Sequence, residues 1–158
     1  MRGINWGIVW VLGVSCSVNA DVTGKVVRIL DGDTIEVLSG QQATRIRLNG
    51  IDAPEKAQAY GQRSRQALSA LIAGKTVTAV GETRDMYGRL LATIMLERMD
   101  VNAVQVATGM AWVYRYKGQA VVPEYLKLEQ QAKSEGRGLW AQPRAVAPWD
   151  WRKQNAHN

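Results

Sequence analysis

Val22-Thr-Gly-Lys-Val-Val-Arg-Ile-Leu-Asp-Gly-Asp-Thr-Ile-Glu-Val-Leu-Ser-Gly-Gln-Gln-Ala-Thr-Arg-Ile-Arg-Leu48 decides the fold. Its hydrophobic period is about two, the period of a pleated strand with one buried face. Val22 to Leu30 reads as a strand carrying Val26, Val27 and Ile29. Asp31-Gly32-Asp33 is a turn and Thr34 to Leu38 a second strand. Ser39-Gly40-Gln41-Gln42 closes a hairpin, after which Ala43 to Leu48 sets Ile46 and Leu48 against Arg45 and Arg47. The stretch is therefore a three-stranded antiparallel meander.

Beyond it the period changes. Tyr60 to Ala73 places Ala67, Leu68, Leu71 and Ile72 at helical spacing, with Gly74 as a C-terminal stop. Lys75 to Val80 and Leu90 to Leu96 read as strands four and five. Asp100 precedes a short helix through Val101, Val104 and Ala107 to Gly109, and a third helix spans about Pro123 to Glu135. Five strands with a helix between the third and fourth is the order of an oligonucleotide-binding (OB) barrel, an α+β fold here carrying about three α-helices. From Gln142 the chain loses this regularity, and the tail from 143 to 158, with Pro143, Pro148, Trp149 and Trp151, is expected to be irregular and to fray at its end. Trp140, Trp149 and Trp151 are expected to anchor that tail, and the lone histidine, His157, to be solvated.

The 158 residues suffice for one domain with a real core. A formal charge of +6 and an isoelectric point near 9.7 point to anionic partners, nucleic acid or an anionic membrane surface. Residues 1–20 read as a secretory signal peptide: Arg2, an apolar run from Ile4 to Val14, and Val18-Asn19-Ala20 before the cut. The run is short for a bilayer span. Its removal takes away Arg2 and the single cysteine, Cys16, leaving a charge of +5 on a mature chain without thiols. The expected product is a secreted or periplasmic domain over 21–142 with no stable membrane association, a monomer by default.

Three charged turns follow three strands: Asp31-Gly32-Asp33-Thr34, Arg47-Leu-Asn-Gly-Ile-Asp52-Ala53-Pro54-Glu55, and Asp85-Met86-Tyr87-Gly88-Arg89. A hard cation needs carboxylate oxygens and a phosphodiester needs cations, and both sets lie where strands end and loops converge. Metal-assisted phosphodiester hydrolysis is the chemistry this suggests.

These motifs, with Gly138-Leu139-Trp140, closely resemble the staphylococcal nuclease family in one collinear order from about Val22 to Trp140. The resemblance implies that Asp33 and Asp52 supply carboxylate oxygens to Ca2+, with the backbone carbonyl of Ala53 a further ligand. The family's usual threonine is replaced at Ala53, which a main-chain ligand tolerates. Glu55 resembles the carboxylate that directs the attacking water, and Arg47 and Arg89 the two guanidinium groups on the scissile phosphate. Tyr87, Tyr114 and Tyr116 resemble tyrosines that stack on a base or bond a terminal phosphate. The spacing before Tyr114 is one residue shorter than in the type member. The implied substrates are DNA and RNA, preferentially unpaired, cut to 3′-phosphate and 5′-hydroxyl ends.

Each feature has a plainer reading. An isolated Asp-Gly-Asp caps turns, Asp31 itself reads as turn-forming or as a support behind the metal ligands, surface arginines pair with carboxylates, and tyrosines pack in barrels. A noncatalytic nucleic-acid-binding or scaffold barrel is the alternative from another class. Such barrels usually lack one or more of the five charged site residues, and Asp33, Arg47, Asp52, Glu55 and Arg89 are all present.

Overall fold

A computed structural model describes residues 21–156. The signal-peptide reading of residues 1–20, Cys16 with it, and the expectation for His157 lie outside the described residues.

The meander forms as β1 (Val22–Asp31), β2 (Thr34–Ser39) and β3 (Gln42–Leu48). After a two-residue β4 (Ile51–Asp52) comes helix α1 (Gly61–Ile72), then β5 (Thr76–Val80) and β6 (Leu90–Leu96). The long strands run in the order β3-β2-β1-β5-β6, and β3 pairs in parallel with β6, Arg47 opposite Leu91, so that the sheet closes into a five-stranded barrel. Closure removes the open edges on which a flat sheet would aggregate. Two register shifts in β1 against β2, between Val26 and Arg28 and between Ile29 and Asp31, bend the strand as curling requires. Alternation puts Val27, 44% exposed, on the face opposite its buried neighbour Val26.

Alternation fills the barrel. Ile35, Val37, Ile46, Leu48 and Ile94 have no exposed surface, and Leu68 and Ile72 of α1 are buried in the same core. Truncating any of the large ones to alanine removes packed methylenes in a site that cannot collapse, which costs about 2–5 kcal/mol.

The second half braces this barrel. After β7 (Met99–Asp100), Asp100 caps helix α2 (Val101–Ala107) by accepting from the Ala103 amide at 2.9 Å. The short strands β8 (Trp112–Val113), β9 (Arg115–Tyr116) and β10 (Gln119–Ala120) precede helix α3 (Tyr125–Ser134) and a 3-10 turn at Gly138–Ala141. β8 pairs with β4, placing Trp112 opposite Asp52.

The expectation of an irregular tail is corrected. Pro148–Asn155 is a fourth helix, α4, with proline in its first turn, Asp150 near its N-terminus and Arg152 and Lys153 in its last turn, each where the helix dipole favours it. Trp149 packs edge-on against Trp112, as does Trp140, with ring centroids 5.5 and 4.4 Å away, so two of the three tryptophans named as anchors meet β8.

Glu129 of α3, 3% exposed, holds β8 in place. It accepts from the Val113 amide at 2.9 Å, Arg115 Nη2 at 2.7 Å and Lys133 Nζ at 3.1 Å. Burial alone would raise its pKa, but these donors, Arg115 foremost, outweigh it and hold the carboxyl below the ordinary value of 4.5. A carboxyl depressed on folding stabilises the fold above its unfolded pKa, and loses that contribution as pH falls through the folded value. Glu129→Gln should therefore cost about 1–3 kcal/mol in urea unfolding at neutral pH. The gap to the parent chain should shrink progressively below pH ~4.5.

Candidate active site

The acidic turn is built by close approach. At Gly32 an added Cβ would overlap Ser64 Oγ of α1 and stand 2.8 Å from Ala53 Cβ, so only glycine lets the turn, the Asp52-Ala53 segment and α1 meet. Gln105, fully buried on α2, donates to the Gly32 carbonyl at 2.8 Å and the Ser64 carbonyl at 3.3 Å. Buried Asn102 likewise ties the Asn49 carbonyl to β6 through Ala92 and Ile94. Neither residue was singled out in the sequence, although two amides three apart on the inner face of a short apolar helix are a signal of buried backbone to be satisfied. Gly32→Ala should overpack this junction and lower stability by about 1–3 kcal/mol. Because the displaced atoms carry Asp33, cleavage should fall further than the melting midpoint suggests, which parallel activity and urea measurements would show.

On that floor five of the sequence-chosen positions converge. Asp33, 2% exposed, accepts from Arg47 Nη1 at 2.6 Å and from the Ala53 amide at 2.6 Å, while its own amide donates to Asp31 Oδ1 at 3.2 Å. Arg47 Nη2 donates to Asp52 Oδ1 at 2.9 Å, so one guanidinium bridges both aspartates. Asp31 thus closes the turn on the Asp33 amide. Burial pushes the Asp33 carboxyl up to about 8 against the pull of Arg47, and Asp31 and Asp52 add to the rise. Burial would depress Arg47, but Asp33 and Asp52 reverse that and raise its pKa above the ordinary guanidinium value.

A residue that the sequence reading missed completes the cluster. Arg152 of α4 donates through Nη2 to Asp52 Oδ2 at 2.9 Å and through Nη1 to Asp52 Oδ1 at 3.3 Å and Glu55 Oε1 at 2.7 Å. Its pKa is raised, chiefly by the hydrogen bond to Asp52. No local pattern could reveal a contact spanning about a hundred residues, though proline followed by an acidic then a basic turn does mark the helix that carries it.

Arg89 stands apart from this network. Its Nε donates to Asp85 Oδ2 at 2.7 Å inside its own turn, and the parallel β3–β6 pairing sets it one residue before Leu90, the partner of Ile46. The ring of Tyr87, 76% exposed, lies 5.4 Å from its guanidinium carbon. The Tyr114 amide donates to the Gly50 carbonyl at 2.9 Å beside β4, and Tyr116 is 61% exposed on β9. Both phenols thus sit on the segment that follows β8.

Among the described residues no three acidic, histidine or cysteine side chains converge as a ready metal cage. The donor set nonetheless fits a hard cation. Asp33, Asp52 and Glu55 pair with Arg47 and Arg152, Asp31 adds a further carboxyl beside Asp33, and every candidate ligand is oxygen, so acidic groups outnumber the guanidinium groups paired with them among the described residues. Two carboxylates and a carbonyl would leave most of the coordination sphere to water, which calcium accepts.

An OB barrel with carboxylates and arginines gathered at one rim defines a phosphodiester-handling protein. The family model described as staphylococcal nuclease homologue matches residues 45–142, and the chain belongs to that family. It is 42% identical over 159 residues to a micrococcal nuclease of Shigella flexneri, covering 94% of this chain and 91% of that one. It is 48% identical over 135 residues to an uncharacterized endonuclease of Escherichia coli O157:H7, covering 84% and 86%. Protein ParB of Escherichia coli is 46% identical over 154 residues, covering 92% and 87%. The chain is a nuclease, a hydrolase of the phosphodiester bond.

Proposed function

We propose that this nuclease is calcium-dependent, cuts DNA and RNA with a preference for single strands, and leaves 3′-phosphate and 5′-hydroxyl ends. The observation that carries the reading is the continuous run of contacts Asp33–Arg47–Asp52–Arg152–Glu55 at the end of β3 and β4. Asp33, Asp52 and the Ala53 carbonyl would hold the ion, which when bound supplies a Lewis acid for a phosphoryl oxygen. Glu55, its side chain 37% exposed, has access to solvent and is the group that orients a water and takes its proton. The water oxygen forms a bond to phosphorus, the P–O5′ bond breaks, and the leaving oxygen takes up a proton as the 5′-hydroxyl. Arg47 and Arg89 donate to the equatorial oxygens as charge grows on them. The exposed rings of Tyr87 and Tyr116, with Tyr114, offer stacking surfaces that tolerate any base, and the net charge of +5 that remains without residues 1–20 draws the polyanion in a salt-dependent way.

The domain acts as a monomer outside the cytoplasm, secreted or periplasmic, after loss of residues 1–20. The test is incubation of the chain from Asp21 onward with labelled single-stranded DNA and RNA, in calcium and in chelator, with identification of the fragment ends. Calcium-dependent fragments ending in 3′-phosphate are expected. Other ends, or cleavage undiminished by chelator, would overturn the mechanism, and binding without cutting would favour the noncatalytic barrel. In the same assay Glu55→Ala should lower turnover about 10²–10⁴-fold with the fold intact.

A further inference from the structure

The tail helix brings a cation to the acidic cluster, and three features make the contact more than a surface ion pair. Asp52 is almost wholly buried, its side chain 1% exposed, whereas Arg152 is 43% exposed, so Arg152 lies on the solvent side of Asp52. Both carboxylate oxygens of Asp52 accept from Arg152, and Oδ1 is shared with Arg47, so a further cation at Oδ1 meets two guanidinium groups and one at Oδ2 meets that of Arg152. The helix is held independently of this contact: Trp149 packs on Trp112, Pro148 is buried, and Gln58 Nε2 donates to the Val146 carbonyl at 2.7 Å. Anchored at its start, α4 delivers Arg152 to a fixed place.

We propose that Arg152 is a positioning residue of the active site, holding Asp52 and Glu55 together and occupying the coordination position that calcium takes, so that metal binding and the Arg152–Asp52 pair exclude each other. The inference rests on the calcium reading of the preceding section. Its chemistry is charge replacement. With calcium absent, Arg152 offsets part of the repulsion between Asp52 and Glu55, which it bridges. A divalent ion on Asp52 takes over that compensation and is itself repelled by a guanidinium still in place. A ligand whose site is open only a fraction of the time binds with its affinity reduced by that fraction.

The experiment compares the chain from Asp21 onward with Arg152→Ala, Arg152→Gln and Arg152→Lys, measuring calcium affinity by titration calorimetry and melting temperature in chelator and in saturating calcium. If the pair is closed about nine-tenths of the time, Arg152→Ala and Arg152→Gln bind calcium about tenfold tighter, and Arg152→Lys falls between them and the parent. In chelator the two neutral variants melt below the parent, and the gap closes in saturating calcium because the pair is then broken in every form. Glutamine keeps most of the stem, so its result stands if the alanine variant does not fold. An unchanged or weaker calcium affinity, with a melting gap that persists in calcium, would mean that Arg152 merely fastens the helix. Cleavage of single-stranded DNA followed in the same samples separates the two levels. Calcium-dependent cutting with unchanged affinity removes the competition and leaves the nuclease mechanism, whereas no calcium binding in any form removes both.

Discussion

Arg47→Ala should lower calcium-dependent turnover about 10²–10³-fold and, in chelator, lower stability by about 3–5 kcal/mol, the cost of stripping a buried charge of its partner. Both effects come from one guanidinium. Arg47 is the bridge between Asp33 and Asp52, whose side chains are 3% and 1% exposed, and its removal leaves both in a low-dielectric pocket with only Arg152 near Asp52. On the proposed mechanism the same removal takes a donor from the phosphate, a loss of about 10²–10³ in turnover for a single preorganised donor. Added calcium should restore part of the lost stability, since a divalent ion between the two carboxylates compensates them as the guanidinium did. It should restore none of the turnover. Urea unfolding in chelator and in calcium, beside single-turnover cleavage, checks all three statements. A variant as stable as the parent in chelator would contradict the ion-pair reading, and one with parental turnover would remove Arg47 from the chemistry.

Arg89→Ala should give the opposite balance, with turnover down about 10²–10³-fold and little change in stability. The pair it forms with Asp85 is partly exposed, the two side chains being 26% and 15% accessible, and Asp85 keeps the amides of Tyr87 and Arg89 at 2.9 and 3.0 Å after the side chain is gone. Exposed pairs of this kind contribute about 0.2–1 kcal/mol. Arg89→Lys should not rescue, because a point charge cannot reproduce a planar two-pronged donor. Arg89 pairs with Asp85 and with no member of the Asp33–Arg47–Asp52 network, so the proposed mechanism requires a phosphate to draw it from Asp85. A loss confined to KM, with kcat unchanged, would show that Arg89 binds substrate without favouring the transition state.

The barrel was legible because its cause is local. Strands such as Thr34 to Leu38 and Ala43 to Leu48 alternate against one buried face, and turn residues mark their ends, so the meander followed from pattern and the site turns fell at the strand termini. The carboxylates and Arg47 were legible for the same reason, each sitting at a fixed offset from a strand end. What escaped the sequence depends on distant partners. β4 and β8 are two residues long and exist because Ile51 and Val113 pair across the molecule, Glu129 holding β8 from α3. α4 lacks a broad apolar stripe, since its docking rests on Pro148 and Trp149 against Trp112, and its polar sequence read as a fraying end. Arg152, the residue with the largest consequence for the metal reading, was invisible for that reason.

Crystals of the chain from Asp21 onward, soaked in calcium and measured at a wavelength where calcium scatters anomalously, test the account most directly. The prediction is one strong anomalous peak at the cluster, about 2.3–2.6 Å from a carboxylate oxygen of Asp33, one of Asp52 and the Ala53 carbonyl, with Arg152 withdrawn from Asp52. A peak elsewhere, with Asp52 still held by Arg47 and Arg152, would contradict it.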